Sequence, residues 1–484
     1  MNEKFSFSIE RIDKYRVRIP RQGSMITDGI VYVDTAMMPH PQEEQSLQQV
    51  ANVACLPGIV GNSLAMPDIH WGYGFPIGGV AAFDMDSGVV SPGGVGYDIN
   101  CGVRLMQTAL TRPEIEGKLR DLVEALFVNI PSGVGSKRTD MKLSTKDEKN
   151  VFIKGARWAV EKGFGYAEDL AHIEEHGAIP DADPDIISDH ALERGRPQLG
   201  TLGSGNHFVE IDYVEEVYDN AIAEALGLCK DTITISIHSG SRGLGYQICD
   251  DFIKVMLKAS QKYGIALPDK QLCCAPIKSA EGRSYLAAMA CAANYAFANR
   301  QMMSHWVRES FEKVLRASPK ALQMKLVYDV CHNIAKIETH LVGGKQKQLC
   351  IHRKGATRAF PAHHPQVPDD YQETGQPVLI PGDMGRYSYV LVGTERAMEE
   401  TFGSSCHGAG RVMSRHQAIK AAKGRSITRE MENRGIYVRA SGRETLVEEM
   451  PDAYKDVSKV VEIVHNAGIG KKVVKLRPLG VMKG

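Results

Sequence analysis

The sequence predicts a fold of mixed α and β class, in which long helices alternate with groups of short strands. Alternation of apolar and polar residues, typical of half-buried strands, occurs at 232–238 and 325–332. Helical spacing of apolar residues occurs at 246–263, and 281–316 is a long segment rich in Ala and Met. Since no compositional break divides the chain into halves, we expect one large domain over residues 1–484.

The other elements follow in chain order from similar patterns. Polar residues predict loops at 136–150 and 179–189, and mixed apolar and charged periodicity between them predicts a helix at 150–175. The two strands each end in a histidine, His238 and His332, before a polar loop. Side chains at strand ends can converge on a cleft, so these histidines are candidates for a shared site.

Composition excludes several classes of protein. The 58 basic and 58 acidic residues give zero net charge, which argues against a broadly basic nucleic-acid coat but permits a local basic cleft. There is no apolar run long enough for a transmembrane helix, and the N-terminal segment lacks the apolar core of a signal peptide. The ten cysteines include no CxxC pair, so we expect reduced, mostly buried thiols in a cytoplasmic enzyme.

Glycine, at 47 of 484 residues, clusters with acids, histidines and cysteine. Such loops allow positive φ and close backbone approach, and their amides can line an anion site. None of them matches a Walker or a Rossmann phosphate loop, so we expect any nucleotide to be held in another way. The clusters are PDIHWGYGFPIGG, SPGGVGYDINCGVR, GTLGSGNHFVE, IHSGSRGLG, DVCHN, IPGDMGRYSY and SSCHGAGR.

Five residues of these clusters are candidate metal ligands: Asp98, Cys101, His207, His238 and His332. The first two lie three residues apart, so one turn could direct both inward, and a thiolate can bridge two cations. Mixed oxygen, nitrogen and sulfur ligation suits Mn²⁺, Zn²⁺ or Fe²⁺ better than Mg²⁺ or Ca²⁺. Spacing alone also allows a structural alternative, in which the histidines end strands and the cysteine is a small core residue.

His407, in SSCHGAGR, has several possible roles: metal ligand, general base, nucleophile or turn residue. The downstream segment 411–423 is predicted to be a helix with Arg411 and Arg415 on one face. His407 would then precede a helix N-terminus beside two guanidinium groups, an arrangement that binds anions. Cys406 is a rival nucleophile, which we expect to point in another direction.

Together these clusters resemble the RtcB family of RNA ligases, which act in tRNA splicing and RNA repair. The similarity extends from ACLPGIVGNSLAMPDIHWGYGFPIGG to the C-terminal LRPLGVMKG. GGVGYDINCGVR, GTLGSGNHFVE, IHSGSRGLG and SCHGAGR occur together in the family's order, which makes the combination highly specific. The resemblance implies a single RtcB-like α+β domain with mixed and antiparallel sheets flanked by helices, and an active-site cleft lined by glycine-rich loops.

The resemblance also implies an activity. The family joins an RNA 3′-phosphate or 2′,3′-cyclic phosphate to a 5′-hydroxyl end, using GTP and two Mn²⁺ ions, through a covalent histidine–GMP intermediate and an activated RNA–ppG end. We therefore expect RNA with these ends as substrates, with an archease-type activator as a possible partner and no membrane association.

The implied metal ligands are the five residues already singled out. Cys101 would bridge the two Mn²⁺ ions, His207 and His238 would complete one, and Asp98 and His332 would complete the other.

The resemblance further implies that GTP guanylylates His407 and that Arg242 contacts an RNA phosphate or a similar anion. Arg411 and Arg415, from the helix predicted after His407, are further candidate RNA or anion contacts. The implied guanine-nucleotide contacts are Asn206, His207, Phe208, Val209, Glu210, His332, Asn333, Pro381, Gly382, Asp383, Met384, Ser388, His407, Gly408, Ala409, Gly410, Tyr454 and Lys483.

Two other functions use the same residue types. A dimetal phosphoesterase would use Asp, Cys and His ligands with nearby basic residues, but would form no stable protein–GMP adduct. A non-catalytic RNA-binding module would bind RNA without metal, and the zero net charge and the absence of RRM, KH or OB motifs weigh against it.

Overall fold

The computed structural model describes residues 8–35, 44–141 and 143–484. Within them the strands are β1 Glu10–Arg11, β2 Arg16–Ile19, β3 Gly29–Tyr32, β4 Ile59–His70, β5 Ile77–Asp84, β6 Val89–Val90, β7 Gly102–Thr111, β8 Phe208–Val217, β9 Thr232–Ser239, β10 Ala275–Pro276, β11 Lys325–Cys331, β12 Asn333–Val342, β13 Lys345–Lys354, β14 Ala356–Arg358, β15 Pro377–Ile380, β16 Ser388–Val392, β17 Ser404–Cys406, β18 Tyr437–Ala440 and β19 Lys471–Lys483.

The helices flank these strands and are joined to them by turns and short 3₁₀ segments. They are α1 Glu44–Val53, α2 Arg112–Ile115, α3 Leu119–Asn129, α4 Thr145–Lys154, α5 Ala156–Glu161, α6 Asp189–Gly195, α7 Asn220–Ala225, α8 Arg242–Lys262, α9 Ala280–Leu315, α10 Glu395–Thr401, α11 Arg415–Ala421, α12 Ile427–Glu432, α13 Arg443–Glu448 and α14 Val457–Asn466. Among the described residues, no helix has the length and apolarity needed to cross a bilayer.

Two large sheets dominate the fold. One has the strand order β1-β2-β3-β4-β5-β13-β12 and is antiparallel except for the β3–β4 pair. The other has the order β11-β7-β9-β8-β19-β16-β15, with β18 added in parallel to β19. Two small sheets pair β10 with β6 and β14 with β17. Mixed and antiparallel sheets flanked by helices confirm the expected α+β class, whereas the extent of one domain over 1–484 stays a prediction.

The second large sheet brings the candidate ligands to one edge. In its register, Gly102 lies opposite both Cys331 and Ser239, and Phe208 lies opposite His238. Four segments therefore meet at the same edge of the sheet. They are the residues just before β7, those just before β8, those after β11 and those at the end of β9. Sheet topology, rather than any local motif, assembles the site.

The long helix α9 packs against the second large sheet. All residues from 288 to 304 are buried, because this segment is surrounded by protein on every side. Its many alanines favour the helix and let neighbouring elements approach closely. Its polar residues are therefore buried as well, and they include Arg300, which contacts the loops that carry the site.

Most elements expected from the sequence are confirmed. Strands 232–238 and 325–332 correspond to β9 and β11, and helices 246–263 and 281–316 correspond to α8 and α9. The ten cysteines are all free and eight of them are buried, as expected for reduced thiols.

The predicted helix at 150–175 is wrong in its extent. Gly155 has a positive φ of 54°, which ends α4, and after α5 the chain continues through a glycine-containing turn into a short 3₁₀ segment. The loop predicted at 136–150 ends earlier than expected, because Ser144 caps α4 by accepting a hydrogen bond from the N–H of Asp147. The second loop, 179–189, contains only one 3₁₀ turn before α6.

Candidate metal and nucleotide site

Five candidate ligands converge at the edge of the second sheet, as expected. Cys101 lies at their centre, with its Sγ 3.4 Å from Nε2 of His207 and 3.2 Å from Nε2 of His238. Asp98 is brought beside it by a turn in which the Cys101 N–H donates to the Asp98 carbonyl. His332 follows β11, with its Nε2 3.3 Å from that of His238. The turn proposed for the first two residues is therefore present.

The five donor atoms form two groups that share Cys101. One group contains Asp98, Cys101 and His207, and the other contains Cys101, His238 and His332. The shared thiol agrees with the expected bridging position. An Asp98 oxygen lies 2.9 Å from Nε2 of His207, and the division of these residues between two ions stays a prediction.

The donor set fits a divalent cation. Burial, and then the neighbouring positive groups, hold the pKa values of His238 and His332 well below the usual range, so both imidazoles are neutral and can offer a lone pair. Burial, and then the charge of Asp98, raises the pKa of the Cys101 thiol, so the thiolate needs an added positive charge. Burial opposes ionisation of Asp98, but its hydrogen bond to His207 lowers its pKa to about 2.

A buried network fixes the loops that carry these ligands. The Arg300 guanidinium on α9 donates to the backbone oxygens of Asn100 and Ser239, which are neighbours of Cys101 and His238. Asp329 on β11 accepts hydrogen bonds from Arg300 and holds it in place. The positions of the candidate ligands are therefore fixed by contacts within the protein, as outer residues fix the ligands of metal sites.

His407 lies beside these ligands and is oriented by a residue that sequence reasoning missed. One Asp68 oxygen accepts from Nδ1 of His407 at 2.6 Å and from the backbone N–H groups of His407 and Gly408. Burial alone would raise the pKa of Asp68, but the charge and hydrogen bonds of His407 lower it. Since Nδ1–H is engaged, the neutral ring carries its lone pair on Nε2. The ring centre of His407 lies 4.8 Å from that of His332.

The backbone around His407 departs from the predicted helix. Helix α11 begins at Arg415, so His407 is eight residues away and not at a helix N-terminus. Ser414 forms a capping box with Gln417, and this fixes the start of the helix. Arg411 instead pairs with Tyr454 in an isolated β-bridge. The prediction that the two arginines share a helix face is wrong.

The two arginines nevertheless line the cleft beside His407. The guanidinium of Arg411 donates to Glu449 and to the Tyr454 hydroxyl, so it is largely occupied by protein partners. Arg415 is 63% exposed and lies 3.6 Å from Glu448, and it is the more available of the two for an external anion. As expected, Cys406 points away from the cleft into a hydrophobic cluster, and burial raises the pKa of its thiol.

The cleft has a volume of about 390 Å³, which is sufficient for a small ligand such as a nucleotide. All of the expected nucleotide-contact residues line it except His207 and Val209. The side chain of Val209 belongs to a hydrophobic cluster with Ile211, because alternate residues of β8 face opposite sides of the sheet. The side chain of Val209 therefore lies in the core, and the expected nucleotide contact of this residue stays a prediction.

The C-terminal strand contributes a cation to the cleft. Lys483 ends β19 opposite Phe208, and its Nζ lies 5.3 Å from the centre of the Phe208 ring. Burial, the largest influence, lowers the pKa of this lysine, and nearby acids act against the shift. This position agrees with the expected return of the C-terminus to the site.

Arg242 lies behind the cleft and not on its wall. Its Nε donates to the Thr201 hydroxyl at 3.3 Å, and no carboxylate of the described residues lies within 4 Å of its guanidinium. A side chain at Gly203 would collide with that guanidinium, so glycine is required there. A partly buried arginine without a bonded acid beside the candidate ligands suits an anion, and the anion contact that the resemblance implies stays a prediction.

The cleft also contains residues that the sequence did not single out. Lys354, at the end of β13, donates to the backbone oxygens of Tyr73, Phe75 and Gly93, and burial lowers its pKa to about 7. His70 and Tyr73 line the wall beside it. Tyr73 and His70 belong to the PDIHWGYG cluster, which was a visible signal, whereas Lys354 had none.

Comparisons with known proteins agree with this arrangement. Residues 49–484 match the family model described as tRNA-splicing ligase RtcB. A tRNA-splicing ligase RtcB of Archaeoglobus fulgidus is 54% identical over 478 residues, which cover 98% of this chain and 99% of the relative. Relatives with the same description from Thermococcus kodakarensis and Aeropyrum pernix are 53% and 51% identical, again over 98% of this chain and 99% of each relative.

Proposed function

The chain belongs to the RtcB family of tRNA-splicing ligases, and from that premise we propose that it is an RNA ligase that joins 3′-phosphate or 2′,3′-cyclic phosphate ends to 5′-hydroxyl ends. One observation carries the chemistry: His407 has its Nδ1 held by Asp68 and its Nε2 free, beside a cluster of metal-ligand donors. Its biological role is tRNA splicing, RNA repair or both.

The first step is transfer of GMP from GTP to His407. The lone pair of Nε2 attacks the α-phosphorus, the bond between the α-phosphorus and the bridging oxygen breaks, and pyrophosphate leaves. The ring then carries a positive charge, and the Asp68 carboxylate bonded to Nδ1 stabilises it. Gly408 and Gly410 line the cleft and have no side chains, which allows the phosphate to approach closely.

The next steps consume this adduct. An oxygen of the RNA 3′-phosphate attacks the GMP phosphorus and the bond to Nε2 breaks, which leaves an RNA–ppG end. The 5′-hydroxyl of the second RNA then attacks the 3′-phosphorus, GMP leaves and the hydroxyl proton passes to solvent. For a cyclic phosphate, water first opens the ring to the 3′-monophosphate.

We propose Asp98, Cys101, His207, His238 and His332 as ligands of two Mn²⁺ ions, with Cys101 shared. Bound ions would neutralise the triphosphate and activate water for opening of the cyclic phosphate. Three imidazoles, a carboxylate and a thiol supply the mixed ligand set that such ions accept. Arg242 and Arg415 would bind RNA phosphates, and an archease-type protein remains a proposed activator.

The test is incubation of the purified protein with GTP, Mn²⁺ and RNA ends of defined chemistry. We expect joining of 3′-phosphate and 2′,3′-cyclic phosphate ends to 5′-hydroxyl ends, and none when GTP or Mn²⁺ is left out. A dimetal phosphoesterase would remove the phosphate without joining, and an RNA-binding module would change neither end. Either of these results would contradict the ligase assignment.

A further inference from the structure

Two carboxyl groups lie together at the wall of the cleft. Glu210 and Asp212 are two residues apart on β8, so their side chains share one face of the sheet. Glu210 lines the cleft, whereas Asp212 lies behind it with 0% of its surface exposed. The two carboxyl groups are within hydrogen-bonding distance of each other.

No positive side chain of the described residues forms an ion pair with either carboxyl group. Asp212 accepts one hydrogen bond, from the Ser236 hydroxyl at 2.9 Å, and its other oxygen has no donor. Two ionised carboxylates in a buried contact would repel each other strongly, so the pair must hold a proton between them.

The surrounding charges agree with a shared proton. Burial, and then the charge of Asp212, raises the pKa of Glu210 well above its usual range, and burial raises that of Asp212 to about 6. Lys483 on β19 faces Glu210 and favours its ionisation, whereas Asp383 opposes it. Ser236 on β9 contributes only its neutral hydroxyl.

The position of this proton determines whether Glu210 acts as a hydrogen-bond donor or as an acceptor toward a ligand. With the proton between the two carboxyl groups, the Glu210 oxygen that faces the cleft has lone pairs only. Such an oxygen accepts from the ring N–H and amino group of guanine. Adenine presents an unprotonated ring nitrogen at the corresponding position, and two acceptors facing each other cannot bond.

We propose that Asp212 is a specificity-determining positioning residue, which keeps the shared proton on the inner side of Glu210 and so makes the cleft selective for guanine over adenine. This inference rests on the proposed function, because it requires a guanylate donor in this cleft. Asp212 itself touches no ligand and acts through Glu210.

The test compares the initial rates of protein labelling from α-³²P-labelled GTP and ATP at equal concentrations, with Mn²⁺ present. In Asp212→Leu the proton of the buried Glu210 loses its inner acceptor and can turn toward the cleft, where it can donate to adenine. We expect the ratio of GTP to ATP labelling to fall roughly 5- to 150-fold, the usual discrimination of a two-bond base contact. Asp212→Ala, which adds no bulk, should give the same fall if the leucine variant does not fold.

Two variants serve as matched controls. In Asp212→Asn the amide N–H can donate to the inner oxygen of Glu210, so the preference for GTP should be kept. Ser236→Ala removes the other hydrogen bond of Asp212 without touching Glu210, and should also keep it. If a folded Asp212→Leu or Asp212→Ala protein keeps the GTP:ATP labelling ratio of the original chain, the inference is overturned and the proposed function is not affected. Absence of labelling in the original chain overturns the proposed function, and the inference with it.

Discussion

At the scale of single residues, the proposed function depends on one imidazole held by one carboxylate. A single Asp68 oxygen accepts three N–H groups, from the ring and backbone of His407 and from the backbone of Gly408. The contact sets the tautomer, aims Nε2 at the cleft and fixes the glycine-rich loop. The small residues after His407 thus belong to a loop that Asp68 holds in place, and they do not form a helix N-terminus.

Asp68→Asn tests this orientation. The amide can keep the shape of the contact but cannot stabilise the positive ring of guanylylated His407. We expect labelling by α-³²P-GTP to slow by a factor on the order of 10²–10⁴, as for other histidines that lose an orienting aspartate. Asp86→Asn, at an exposed turn, should label normally, and an unchanged rate in Asp68→Asn would show that the contact is only structural.

The limits of sequence reasoning are clearest at this scale. Asp98, Cys101 and the histidines were identifiable because each lies in a glycine-rich cluster with a distinctive composition. Asp68 also lies in such a cluster, but its partner is 339 positions away. A pairing over that distance depends on how two sheets are placed, and no local pattern in one sequence encodes it.

At the scale of elements, strand ends carry the site, and strands were the elements that periodicity predicted best. Alternation in the sequence located β9 and β11 and the histidines near their ends, although the structure buries both faces of each strand beyond its first residue. The segment 411–423 was less well predicted, because its apolar spacing also fits a loop that pairs with Tyr454 before α11 begins. Periodicity does not distinguish a helix from a loop that tertiary contacts hold.

A buried ion cluster anchors the end of β11 next to His332. Glu174 accepts from the Cys331 N–H at 2.8 Å and from Lys336 Nζ at 2.5 Å, and Arg358 lies 3.4 Å away. Burial alone would raise the pKa of Glu174, but Lys336 and Arg358 lower it to about 2. The carboxylate therefore stabilises the fold above its unfolded pKa of about 4.5, and this contribution is lost as the pH falls toward 2.

Glu174→Gln should therefore destabilise the protein by about 1.5–3 kcal/mol at pH 7, because Lys336 and Arg358 lose this buried acid but keep their contacts with Glu175. The difference in unfolding free energy between this variant and the original chain should become smaller as the pH falls from 4.5 toward 2. Urea unfolding over a pH series measures both effects. Glu168→Gln, at an exposed position, is the control. If the loss of unfolding free energy in Glu174→Gln did not change with pH, this would refute the ionised state of Glu174 in the folded protein.

At the scale of the whole molecule, the cleft is assembled from segments that span almost the entire chain, from His70 to Lys483. The C-terminal strand β19 lies inside the second sheet, between β8 and β16, and ends at the site. The fold class could be predicted from periodicity, but the strand order could not, since it depends on long-range pairing.

Lys483→Ala tests whether the end of the chain takes part in the chemistry. Loss of a buried cation that lines the proposed nucleotide site should slow GMP transfer roughly 10- to 150-fold, the range for hydrogen bonds to charged groups. Lys471→Ala, at the other end of the same strand, removes only an ion pair with Asp219 and should label normally. If both variants were labelled at the same rate, this would contradict the assignment of Lys483 to the nucleotide site.

The central claim is that His407 carries GMP, and labelling with α-³²P-GTP and Mn²⁺ tests it most directly. His416, an exposed histidine on the neighbouring helix α11, provides the matched control. We expect an acid-labile protein–GMP adduct in the original chain and in His416→Ala, and none in His407→Ala. An adduct that persists in folded His407→Ala protein would contradict it.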